Sequence, residues 1–220
     1  MPQRRAEYGY QNRGTIGSLL WRRTPKGLWR QYYVGGSENS EQFGWYLWWQ
    51  ACRHGLREAT ETVYLGDGAP WVRPIHQRHF RQATFIVDWY HAQKHIWDCA
   101  KLVWGEGHEQ TAQWADRCCG WLWEGWIRKL LSKLTRRHKH ARGRKRDALE
   151  ALPRYISTNE EQMRYDVFRE QGYSIGSGMM EGGLPSCGRR SAQGFRNDPE
   201  PWWLIGHLGV ADLLAQQRMG

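Results

Sequence analysis

The chain has 220 residues, with 32 Lys and Arg against 22 Asp and Glu for a formal net charge of +10, and that length suits one domain, or one domain with an insertion, around a real core. Its five cysteines include no CxxC pair, which argues against a disulfide frame or a zinc ribbon and for reduced thiols in a cytoplasmic protein. No secretory leader opens the sequence and no apolar stretch is long enough to span a bilayer, so no membrane role is expected, whereas the positive charge favours polyanionic partners such as nucleic acid.

Residues 15–21 and 28–34 are β-branched or aromatic runs around Thr24-Pro25-Lys26-Gly27, a hairpin signal. Ser37 with Glu38, or Ser40 with Glu41, is placed to cap a helix reaching about His54, with Gly55 as its stop. Glu61 to Gly66 reads as a short strand ending at Asp67. Pro70, Trp71, Ile75 and His79 suggest a helix, and Ala83 to Asp88 a second strand that again ends in an aspartate. The two strands and the helix between them form a βαβ unit, so the strands should be parallel, with their carboxyl ends as the place where ligands collect. Neighbouring strand ends would bring the two aspartates to roughly 5 Å spacing in the sheet direction.

From Trp89 to about Gly172 the pattern is helical, with one candidate helix over 110–135 and others around 147–152 and 158–171. A basic run separates them. Arg136, Arg137, Lys139, Arg142, Arg144, Lys145 and Arg146 put seven cations into eleven residues, a density that suits phosphate contact as well as a solvated loop. The tail is broken by Gly182-Gly183-Leu184-Pro185 and by Asn197-Asp198-Pro199-Glu200-Pro201, and ends in a predicted helix near 202–217. The fifteen tryptophans lie mostly in helical or strand-like runs and are expected to pack rather than to stack on bases.

Three strings could carry chemistry. Asp67, freed by glycines on both sides, either approaches a hydrated Mg²⁺ or caps the helix that starts near Pro70. Glu181 follows the glycine turn Ile175-Gly176-Ser177-Gly178-Met179-Met180. Asp88-Trp89-Tyr90-His91 would border Asp67. His91 and His95 have the i, i+4 spacing of helix-borne metal ligands, but the glutamate of a zinc-protease helix is missing, and packing or DNA-facing histidines fit better.

In this order, Gly66-Asp67-Gly68-Ala69-Pro70-Trp71, then Ile86-Val87-Asp88-Trp89-Tyr90-His91-Ala92 with His95-Ile96-Trp97, then Ile175 to Glu181, the sequence resembles bacterial insertion-sequence transposases of the DDE class. The Kra-type family is the nearest group. The resemblance covers most of residues 30–181. It implies an α/β fold, an incomplete RNase H-like sheet with a large all-helical insertion. The implied division is a partial core over 1–88, a helical insertion over 89–172 with the basic run, and a segment over 173–220 bearing the last acidic residue. It also implies a catalytic pair, Asp67 and Glu181, that holds Mg²⁺ or Mn²⁺ (two ions in an intact member), with Asp88 and His91 in support. The implied partners are DNA, at transposon ends and target, and a homo-oligomer; the implied place is the bacterial nucleoid.

Two departures set the expected activity. No aspartate precedes Asp67, so the family's first aspartate has no counterpart and the chain reads as a truncated copy with impaired or no cleavage. The Gly-Gly-Leu-Pro after Glu181 opposes helix by about 1 and 3 kcal/mol for Gly and Pro, which places Glu181 on a loop or a helix end. The alternatives are a non-catalytic DNA-binding relic and a helical protein-interaction module.

Overall fold

The computed structural model describes residues 15–22, 29–36, 39–59, 61–139, 141–176 and 202–208, with backbone alone for 15–22, 29–36 and 202–208. The hairpin is present. Strands β1 (Thr15–Arg22) and β2 (Trp29–Gly36) pair antiparallel, with Ser18 opposite Tyr33; the Thr24–Gly27 turn lies outside the described residues. Helix α1 (Ser40–Arg53) follows, and neither predicted cap starts it. Ser37 and Glu38 are outside the described residues, and Asn39 is the cap, its Oδ1 accepting the Gln42 N–H at 3.0 Å. An extended Asn just before the first turn satisfies an orphan N–H that Ser40, already helical, cannot reach.

Strand β3 (Glu61–Gly66), helix α2 (Val72–His79) and strand β4 (Thr84–Val87) form the expected βαβ unit, with β3 and β4 parallel and Gly66 beside Val87. Alternation along the strands explains their double burial. Val63, Leu65 and Ile86 point into one core, while Tyr64 and Phe85 point into another formed with Phe43, Leu47 and Ala51 of α1 and Val72 and Ile75 of α2. Such strands need cover on both faces, which two-sided helix packing supplies.

The first of those cores belongs to a helical body. It consists of α3 (Trp89–Trp104), α4 (Glu109–Trp123), α5 (Ile127–His138), α6 (Arg144–Thr158), a 3₁₀ turn (Glu160–Met163) and α7 (Tyr165–Glu170). Between Trp89 and Gly176 no described residue is in a strand. The single helix expected over 110–135 is two helices, broken where Gly125 takes φ of 72°. The basic run is not one loop: it starts in the last turn of α5 and ends in the first turn of α6. Helix α6 is also longer than predicted and continues through Pro153, while 158–171 divides into the 3₁₀ turn and α7.

The C-terminal expectation was for a helix over 202–217, and the described part is a strand instead. Strand β5 (Trp202–Leu208) lies between β1, antiparallel, and β3, parallel, completing a sheet of order β2-β1-β5-β3-β4. The physical reason is tertiary. Trp202, Trp203 and Ile205 are residue types that favour a pleated surface, and the gap between β1 and β3 offers two rows of backbone groups to pair with. The result is an α/β chain in which helices make up the bulk.

Among the tryptophans the packing expectation holds for Trp89, which is buried, and for Trp97, Trp104, Trp114, Trp121 and Trp123, which line the helical core. Trp45, Trp49 and Trp126 are exposed. No helix among the described residues is long and apolar enough to cross a membrane.

Candidate active site at the carboxyl ends of two parallel strands

Because β3 and β4 are parallel and in register at Gly66 and Val87, the residues that follow them, Asp67 and Asp88, leave the sheet side by side. The Asp88 N–H donates to Gly66 O at 2.7 Å, which locks that adjacency. Strand β5 runs the same way as β3 and ends at this edge too.

The half-buried Asp67 sits in a tight turn, its Oδ1 accepting the Ala69 N–H at 2.8 Å. Asp67 therefore closes a local turn and does not cap the helix as the sequence allowed, since α2 begins at Val72 with Trp71 as its N-cap and no side-chain cap bond. The turn orients the carboxylate, leaving Oδ2 as the oxygen to offer a cation. Gly68 makes the turn possible at φ 76°, and a Cβ there would lie 2.9 Å from the Tyr155 ring. Asp88 is buried at 7% exposure and caps α3, accepting the His91 N–H at 3.1 Å. A carboxylate at a helix N-terminus is favoured by the orphan N–H groups and the helix dipole.

Two residues that the sequence reading missed hold this edge from the helical body. Tyr155 of α6 donates its hydroxyl to Asp67 O at 3.0 Å, and Tyr165 of α7 donates to Val87 O at 2.9 Å. Each phenol thus satisfies a carbonyl at a strand end. Burial raises the Tyr155 pKa, and the negative charges of Asp67 and Asp88 raise it further. Burial likewise raises Tyr165, with Tyr155 and Asp88 adding to it. Both therefore remain protonated donors at any ordinary pH. No local signal marks them, since Tyr155 is 88 positions from its partner.

A second tie runs through Arg73 on α2. Its Nη2 donates to Thr158 O at 3.0 Å, Asn159 Oδ1 at 3.2 Å and Gln162 Oε1 at 3.0 Å. Asn159 in turn donates to Tyr155 O at 3.0 Å. The Asp67 loop is therefore braced on both sides by the end of α6.

His91 and His95 are stacked edge to face at 5.1 Å between ring centres, and His95 lies on Tyr155 at 4.1 Å. Desolvation lowers the His95 pKa, the charges on His91 and Lys94 lower it further, and Asp98 and Asp67 oppose the shift. A ring packed on a phenol with a depressed pKa is neutral near pH 7, a packing histidine beside the site.

The third motif meets the second at its start. Ile175 O accepts the Trp89 N–H at 2.9 Å, so the chain returns to the residue after Asp88. Gly176 is required by close approach, since a Cβ there would stand 2.8 Å from the Tyr90 ring. Glu181 lies outside the described residues.

The cations of the basic run are elsewhere. Arg136, Arg137, Lys139, Arg142, Arg144, Lys145 and Arg146 are exposed around the α5–α6 junction, at the opposite end of α6 from Tyr155. Cys99 is buried and its thiol is pushed up to about 12 by desolvation, which keeps it inert.

No protein-family model, no curated protein and no solved structure matches the chain. Among the described residues no three His, Cys, Asp or Glu side chains gather as a metal site. Asp67 and Asp88 alone supply the hard oxygen ligands that Mg²⁺ prefers, so the donor chemistry fits the ion and the described set is a partial one.

Proposed function

We propose that the chain is a DNA-processing protein of the DDE transposase type, built on an RNase H-like sheet, with Asp67 and Glu181 as its acidic residues and Asp88 and His91 in support. The observation that carries this reading is the pairing of Asp67 and Asp88 at the carboxyl edge, with Ile175 hydrogen-bonded beside them. Motifs spread over more than a hundred residues of sequence meet here, the third through its first residue, Ile175, and such a meeting supports a phosphoryl-transfer site. The antiparallel hairpin joined to a parallel strand pair also supports an RNase H-like arrangement.

Asp67 and Asp88 would present carboxylate oxygens to a divalent cation, Asp67 from a braced turn and Asp88 from a helix cap. A bound Mg²⁺ or Mn²⁺ supplies charge neutralisation at the scissile phosphate and activation of the attacking oxygen. His95, neutral and held on Tyr155, flanks the Asp67 turn as a packing group. Partners on this reading are transposon ends and target DNA in the bacterial nucleoid, with a homo-oligomer as the working assembly.

Since no aspartate precedes Asp67, cleavage by this chain alone is expected to be slight. The test is nicking of supercoiled plasmid in Mg²⁺ and in Mn²⁺. Activity lost in Asp67→Asn and in Glu181→Gln supports the reading, and cleavage indifferent to both removes it. Binding with no cleavage in either metal leaves the DNA-binding relic.

A further inference from the structure

Helix α5 buries Ile127, Leu130 and Leu134 on its inner face and leaves its charge outside, where Arg128, Lys129, Lys133, Arg136 and Arg137 are all exposed. At 3.6 residues per turn these five cover roughly half the helix circumference over about 13 Å of axis. The series continues through Lys139 and Arg142 to Arg144, Lys145 and Arg146 in the first turn of α6. Residues 127–146 hold ten Lys or Arg and no Asp or Glu.

Solvated structural helices usually interleave signs, as α3 does with Lys94 and Asp98 and α6 with Arg154 and Glu150. Among the described residues none of those ten cations has a carboxylate in ion-pair range. Aromatic rings position two of them instead. Lys129 Nζ lies 4.3 Å from the Trp126 ring centre and the Arg137 guanidinium 4.3 Å from that of Trp104. These contacts orient the side chains without neutralising them.

We infer that this outer face is a track for the phosphate backbone of duplex DNA, and that α6 sets its distance from the edge site. The inference rests on the DNA-processing reading above and adds Arg128, Lys129 and Lys133 to the cations the sequence marks. Helix α6 is bonded to Asp67 through Tyr155 at one end and begins at Arg144 at the other. Eleven residues at 1.5 Å each give about 16 Å, or roughly five base pairs of duplex at 3.4 Å per step. The span of the α5 cations equals about four phosphate steps along one strand. Contacts of this kind fix register and affinity and carry no base preference.

The test measures full-chain binding to a labelled duplex of about thirty base pairs across a salt series. In the triple variant Arg128→Gln, Lys129→Gln, Lys133→Gln, affinity at low salt should fall about tenfold or more, and the log–log salt slope should become shallower by about 2 to 3. Circular dichroism should stay unchanged, and Tm should fall by no more than a few degrees, because the three side chains are exposed and only the Lys129 ring contacts are lost. A photo-crosslinking residue at Lys145 and another at Ala69 should mark duplex positions offset by about five base pairs.

If the wild type binds and the triple variant keeps its salt slope, the track is wrong while the DNA reading stands. If the wild type fails to bind duplex at low salt, both fall. A preference for single-stranded DNA or for RNA of equal charge overturns the duplex assignment.

Discussion

Tyr155 shows how much of this site depends on single atoms outside the motifs. Its hydroxyl is bonded to Asp67 O, so Tyr155→Phe should cost about 1 kcal/mol of unfolding free energy in urea and should loosen the Asp67 turn. Asp88 has two separable roles, charge and cap. Asp88→Asn keeps an oxygen for the His91 N–H and should leave stability nearly unchanged, whereas Asp88→Ala should cost about 1 kcal/mol; comparing the two melts checks this. Asp67→Asn likewise retains the turn to Ala69, so a variant folded like the wild type is expected, and on the proposed reading it should lose whatever residual nicking the wild type shows. At this scale the two aspartates were legible because strand ends and flanking glycines are local signals. Tyr155, Tyr165 and Arg73 were not, because their partners lie across the fold and phenols mid-helix look like any amphipathic residue.

At the level of elements, helices α2 and α3 and strands β3 and β4 were legible from apolar runs that stop at aspartate or glycine. The break between α4 and α5 was not, since apolar spacing continues through Trp121, Trp123 and Trp126 while the chain turns at Gly125. Its left-handed backbone and close contact with the Asp166 carboxylate make Gly125→Ala a strong test. That variant should lose about 1–3 kcal/mol, read from its Tm against wild type. The largest misreading was β5, where the spacing of Trp203, Leu204, His207 and Leu208 suits a helix in isolation. Pairing on both edges decided otherwise, and sheet partners 140 or more positions away leave no trace in a local window.

For the whole molecule, titration should limit stability from both sides. His54, His76, His79 and His95 all have pKa values lowered below 6.5, with desolvation the first cause in each. The unfolded chain therefore takes up protons first, and stability present above about pH 6.5 should be lost as the pH falls below it. Tyr64, Tyr155 and Tyr165 are raised above 10.0 by burial first. Their contribution is present below pH 10.0 and should be lost above it, as phenols ionise in the unfolded chain. Urea unfolding from pH 5 to 11 should give this dome, with a gentler alkaline limb in Tyr165→Phe.

Strand β5 has one more consequence, and it concerns time. During synthesis the hairpin and the β3–β4 pair emerge with a gap between them, and the strand that closes the gap comes more than a hundred residues after β4. Folding of the sheet must therefore wait for nearly the whole chain, while two unsatisfied edges stand open in the nascent protein. In that interval another polypeptide's strand could enter the same gap.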